Sequence, residues 1–83
     1  MTKDDVFSTV KEIILETLPD LDSLLVTRER SLSELGANSV DRAEIVVSSM
    51  AALRVKASAL ELREAKNIGG LVDILHGKTE AGA

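Results

Sequence analysis

The sequence predicts an all-α fold, a small four-helix bundle with a long loop between helices 1 and 2 and a short helix 3. Three observations lead there. Apolar residues recur three and four apart in separate stretches, small polar residues with an acid three positions later mark the helix starts, and neither strand alternation nor an internal repeat is present. At 83 residues with one apolar centre, the chain makes a single domain of modest stability.

In helix 1, Thr2 and Asp5 have the spacing of a capping box, and Val6, Phe7, Val10, Ile13, Ile14 and Leu18 follow at helical spacing. Lys11, Glu12 and Glu16 fall on the other side, and Pro19 ends the helix because it disfavours helical geometry at Leu18. Phe7, the sole aromatic residue, is expected in the core, where loss to alanine costs about 3–5 kcal/mol if the ring is fully buried. The loop from Pro19 to Asn38 carries Leu21, Leu24, Leu25, Val26, Leu32 and Leu35, too many apolar residues for a solvated linker, and is expected to pack down. Within it, Ser31 to Leu35 can form a single turn with Leu32 and Leu35 on one side. Thr27 to Arg30 reads as an exposed charged segment, with a binding role for its two arginines as the alternative.

Helix 2 begins after a loop ending. Gly36 permits a positive φ, Asn38 is a strong N-cap, and Asp41 completes a capping box with Asp in place of the more usual Glu or Gln. Ser39 is then the first helical residue. Its hydroxyl lies beside unpaired backbone N–H groups and the positive end of the helix dipole, which favours an attached phosphate, although small polar residues also stand at helix starts merely as caps. The helix runs to about Arg54, with Ile45, Val46, Ser49 and Leu53 as one inward stripe and Val40, Ala43, Val47, Met50 and Ala51 as a neighbouring one.

Ser58 with Glu61 opens helix 3, which passes through Leu60 and Leu62 to about Lys66, and Asn67 caps or breaks it. Helix 4 carries Ile68, Leu71, Val72 and Leu75 and ends at Gly77. His76 then sits in its last turn, favourable at a C-terminus. Gly69-Gly70 follows no strand and lacks the spaced glycines and lysine of a phosphate loop, so the pair is expected to allow close helix contact.

Composition excludes several function classes. Without cysteine there is no disulfide, thiolate nucleophile or cysteine zinc site, and one histidine rules out multi-histidine metal chemistry, so no metal is expected. Any reactive thiol must be imported. The net charge of −4 argues against nucleic acid and suits basic protein partners, and the absence of Trp and Tyr removes base stacking. No stretch approaches a membrane span and residues 1–5 lack signal-peptide features, so a cytoplasmic monomer without membrane contact is expected. Ser39 has no histidine or lysine nearby in sequence to activate it, and no enzyme is expected.

The run Leu35-Gly36-Ala37-Asn38-Ser39-Val40, with Glu44-Ile45 after it, resembles the Leu-Gly-x-Asp-Ser-Leu-x-x-x-Glu-Leu signature of acyl carrier proteins. Its place after one helix and a long loop, and before two shorter helical segments, is also similar to that family, so the likeness covers nearly the whole chain. Asn38 stands where the family usually has Asp, which loses an acid but keeps the capping ability. Ala37 differs from the Leu-Gly-Gly-x-Ser of peptide-synthetase carriers. The resemblance implies a carrier domain over 1–77, after which the terminal residues 78–83 are expected to fray as a flexible tail, and a 4′-phosphopantetheine arm placed on Ser39 from coenzyme A by a phosphopantetheinyl transferase. The arm's thiol would hold acyl groups as thioesters. Partner docking is implied for Val40, Asp41, Glu44, Val47, Met50 and Ala51, with Val47 and Met50 as plain core the alternative, and a likeness of Asn38 to Glu44 to donor carriers adds Arg42, mere solvation being its alternative. Many acyl carriers place acids further along this helix, where Val47-Ser48-Ser49-Met50-Ala51 stands here, so docking should be less sensitive to salt.

Within the family, Asn38 to Glu44 resembles the stand-alone donor carriers of polyketide β-branching cassettes. These bring an acetyl unit, made by decarboxylating a malonyl unit, to a 3-hydroxy-3-methylglutaryl-synthase-like enzyme. An acyltransferase and that synthase are then the implied partners. A general polyketide or fatty-acid carrier serving a ketosynthase is the alternative, and a cofactor-free helical adaptor is the reading of another class.

Overall fold

The computed structural model describes residues 1–81, the side chains of residues 80 and 81 excepted. It contains helices α1 (Lys3–Thr17), α2 (Ser39–Leu53), α3 (Ala59–Arg63) and α4 (Ile68–Ala81), a short 3-10 turn at Ser23–Leu25, and no strand among the described residues. The all-α four-helix architecture, with its long first loop and short α3, is the one expected.

Local chemistry sets the helix starts. Thr2 and Asp5, Asn38 and Asp41, and Ser58 and Glu61 each form reciprocal capping boxes that satisfy otherwise orphaned N–H groups. α1 packs against both α2 and α4. Val6, Val10 and Ile14 of α1, Ile45 and Leu53 of α2, and Ile68, Leu71, Val72 and Leu75 of α4 make the core, joined from the first loop by Val26, Leu35 and Ala37. No helix among the described residues is long and apolar enough to cross a membrane.

The structure corrects several expectations. α4 does not stop at Gly77 but continues to Ala81, so His76 lies within the helix, its Nε2 3.1 Å from the Met1 carbonyl oxygen. Just beyond Gly77, Lys78 pairs with Glu61 and Thr79 donates to the His76 carbonyl, which holds the extra turn in place. Of the expected tail, Gly82 and Ala83 lie outside the described residues. α3 ends at Arg63, short of Lys66, because Glu64 and Ala65 close tighter bonds to Glu61 and Leu62, three residues back. Phe7 is only half-buried, its ring lying 5.1 Å below the Arg28 guanidinium, so its truncation costs less than the fully buried figure. Leu24, 81% exposed, and Leu25 face solvent, since a three-residue turn has too little backbone to bury both.

The segment Thr27 to Arg30 is also more than a solvated charge run. Arg28 pairs with Asp4, and the carbonyls of Arg28 and Arg30 accept from the N–H groups of Gly69 (2.8 Å) and Ile68 (2.9 Å). Orphan donors of α4 are thereby satisfied by the loop. A Cβ at Gly69 would lie 3.1 Å from the Arg28 carbonyl oxygen, and one at Gly70 would lie 3.3 Å from the Ala65 Cα. The glycine pair therefore admits loop backbone rather than a packed helix.

Ser49 is fully buried and its hydroxyl has no hydrogen-bond partner among the described residues. Ser49→Ala removes that unsatisfied group and improves helix propensity, and is expected to raise stability by about 1 kcal/mol in urea unfolding. The Glu61 carboxyl is held below its usual range by the Lys78 ammonium first and then by the Ser58 N–H. A depressed folded value makes this contribution present at neutral pH and lost as pH falls through the carboxylate range. Thermal unfolding followed against pH should show Glu61→Gln lowering the neutral midpoint and flattening the acid limb.

Candidate functional site

The approach to Ser39 is fixed before the helix begins. Ser31 N–H donates to Glu34 Oε1 (3.0 Å), Glu34 N–H returns a bond to Ser31 Oγ (3.2 Å), and Leu35 and Ala37 N–H both donate to the Leu32 carbonyl. Leu35 and Ala37 are buried, so this turn is nailed to the core on either side of Gly36. Gly36 is there for conformation: its φ is +94°, and a Cβ would meet nothing within 4 Å.

Asn38 then does the capping. Its Oδ1 accepts from Asp41 N–H at 2.8 Å, Asp41 Oδ2 accepts from Asn38 N–H at 3.3 Å, and the Asn38 carbonyl accepts from Arg42 N–H at 2.9 Å. Ser39 is left on the first helical position, exposed, with no hydrogen bond to its hydroxyl among the described residues. An oxygen attached there meets open solvent on one side and the dipole's positive end on the other, so a phosphodiester fits without displacing any contact. Among the described residues the hydroxyl also has no basic partner that could activate it. Among the described residues no group of three His, Asp or Glu side chains could hold a metal ion.

The rest of the expected surface is uneven. Val40 is 72% and Val47 59% exposed, which removes Val47 from the core, and Arg42, Ala43, Glu44 and Ala51 are exposed too. Asp41 is half-buried and committed to the cap. Met50 is half-buried against the core, and its sulfur accepts from Ala57 N–H at 3.3 Å. Arg42 donates to Ser33 Oγ, tying α2 to the turn that precedes it.

Two adjoining clefts lie beside this helix and have no counterpart in the sequence reading. One, of about 330 Å³, runs from Ser33 and Arg42 over Leu32, Val46 and Leu62 to Lys66 and Leu71. The other, of about 480 Å³, lies between α2 and the α3 region, with Val47, Met50, Ala57 and Arg63 along it; Arg42, Val46 and Leu62 border both. Their walls come from residues as distant as Ser33 and Leu71, and only the fold assembles them.

Compared with known proteins, the chain is 41% identical over 81 residues to a polyketide biosynthesis acyl-carrier-protein, AcpK, of Bacillus subtilis (strain 168), a match covering 98% of this chain and 99% of that one. It is 27% identical over 77 residues to an acyl carrier protein of Thermotoga maritima, covering 93% and 95% of the two. No family model matches the chain, and no solved structure matches it significantly.

The geometry separates capping from any other role of the serine. Asn38→Ala should cost about 1 kcal/mol through loss of the cap, whereas Ser39→Ala should stay within about 0.5 kcal/mol of the parent in urea unfolding. Equal losses in the two variants would make Ser39 part of the cap.

Proposed function

Because the chain belongs to the acyl carrier protein family, we propose that it serves polyketide biosynthesis and that Ser39 is the residue bearing its arm. As a member of the family the chain is a non-catalytic carrier with a covalently attached 4′-phosphopantetheine, and such carriers work with a phosphopantetheinyl transferase and with acyltransferases or synthases. The group supplies a thiol at the end of a flexible arm, on which acyl units are held as thioesters. One observation carries the choice of Ser39: the cap of α2 is complete without its hydroxyl, which stands exposed and, among the described residues, unbonded.

In the loading reaction the Ser39 oxygen forms a bond to the phosphorus that bears the pantetheine of coenzyme A. The bond from that phosphorus to the pyrophosphate bridge breaks, adenosine bisphosphate departs, and the serine proton passes to a base of the transferase. Exposed Val40, Arg42, Glu44 and Val47, with the half-buried Asp41 and Met50 beside them, form the face offered to partner enzymes. Apolar contact outweighs charge along it, so docking is brief and weakly salt-dependent. Weak docking is sufficient, because tethering raises the local cargo concentration to about the millimolar range.

The finer reading makes the chain a donor of acetyl units, formed from malonyl, to a 3-hydroxy-3-methylglutaryl-synthase-like enzyme in β-branching. Its support is the likeness of Asn38 to Glu44 to such donors and the exposure of Arg42 one turn after Ser39.

Incubation with a promiscuous transferase and coenzyme A should raise the intact mass by one phosphopantetheine, and Ser39→Ala should abolish the gain; an unmodified but folded parent would mark a cofactor-free adaptor. Offered to a β-branching synthase and to an elongating ketosynthase, the acetylated form should turn over at least tenfold faster with the synthase, a difference of about 1.4 kcal/mol in barrier. Equal rates would leave a general carrier.

A further inference from the structure

The chain as a whole is acidic, with 14 Asp and Glu against 10 Lys and Arg, yet the two clefts beside α2 are bordered by Arg42, Lys66 and Arg63 and, among the described residues, by no carboxylate. Among the described residues none of these three cations makes an ion pair, whereas Lys3, Arg28 and Lys78 each have a carboxylate partner. Arg42 borders both clefts and spends a guanidinium N–H on a neutral hydroxyl, that of Ser33. Between the cations the floor is apolar, formed by Val46, Leu62 and Leu71. A short apolar floor with a cationic rim fits one chemical class, a small acyl chain whose far end bears a carboxylate. An all-apolar chain would leave the rim unused, and a free inorganic anion would leave the floor unused.

Resting on the carrier reading above, we propose that Arg42 and Lys66 are specificity-determining residues that draw carboxylate-ended acyl groups, such as malonyl, from the arm into the cleft between α2 and α4. Arg42 exchanges Ser33 for the cargo carboxylate, and Lys66, which lines the same cleft, supplies the second cation. The carboxylate supplies the larger part of the hold, so a cargo that loses carbon dioxide loses most of its place in the cleft and is offered to solvent and to a docked enzyme. Arg42 then acts on the cargo before any partner arrives, which a pure docking role would not require.

The test compares holo protein with protein loaded at Ser39 with malonyl, propionyl or acetyl, each preparation first verified by intact mass, and reads methyl NMR shifts of Val46, Leu62 and Leu71. Malonyl should move these methyls relative to the unloaded holo form and acetyl should not. Propionyl, of the same carbon count but uncharged, should give less than half the malonyl shift. The Arg42→Gln/Lys66→Gln variant, incubated until intact mass shows full loading, should lose most of the malonyl shift, and moderate salt should weaken that shift in the parent. Equal shifts from malonyl and propionyl, or no shift from malonyl, would overturn the proposal. So would a cleft shift already present in the unloaded holo form and removed by Arg42→Gln, since the anion would then be the arm's own phosphodiester. Failure to gain mass at Ser39 defeats the carrier reading itself and is seen before any spectrum is recorded.

Discussion

The reciprocal hydrogen bonds between Asn38 and Asp41 are the constraint on which the site depends. A helix start needs its first donors satisfied, and an acceptor side chain is the usual means. By placing that duty on the residue before the helix and the one two beyond Ser39, the chain leaves the first helical side chain without structural work. A hydroxyl at such a position can be chemically modified without unfolding what supports it. Asp41 shows the other side of this economy: half-buried and engaged in the cap, it has little freedom left to meet a partner.

The long first loop owes its order to main-chain bonds rather than to burial alone. Its middle accepts the first N–H groups of α4 through the Arg28 and Arg30 carbonyls, and its end is fixed by the Leu32 carbonyl and by Leu35 and Ala37 in the core. One connection thus caps the start of α4 and orients α2. Gly69 is the residue that lets the first of these joins form, since any larger side chain would press on the Arg28 carbonyl.

Much of this was readable from the residues. Three capping boxes marked the helix starts correctly because their chemistry is local, and of the inward stripe Ile45, Val46, Ser49 and Leu53 expected from spacing all but the half-buried Val46 are buried. The motif around Ser39 was equally visible, being contiguous. Helix ends were less legible: Gly77 suggested a stop, but the pairing of Lys78 with Glu61 is a tertiary event that overrides it. Burial of Phe7, Leu24 and Leu25 was overestimated because hydrophobicity says what a side chain prefers and not whether the core has room. The loop-to-α4 bonds and the clefts beside α2 carry no signature at all, since the one uses backbone atoms and the other joins Ser33, Arg42, Leu62 and Lys66 across the chain.

The thioether of Met50 has a consequence for the chain's exposure to oxidants. With no cysteine present, Met1 and Met50 carry the only sulfur atoms the polypeptide itself owns, and Met50 sits half-buried on α2 with the Ala57 amide as its donor. Conversion to a sulfoxide would make that flexible apolar contact polar and chiral while strengthening its hold on the amide. Oxidation at Met50 would therefore bear on how the segment leading into α3 lies against α2, leaving the cap formed by Asn38 and Asp41 untouched.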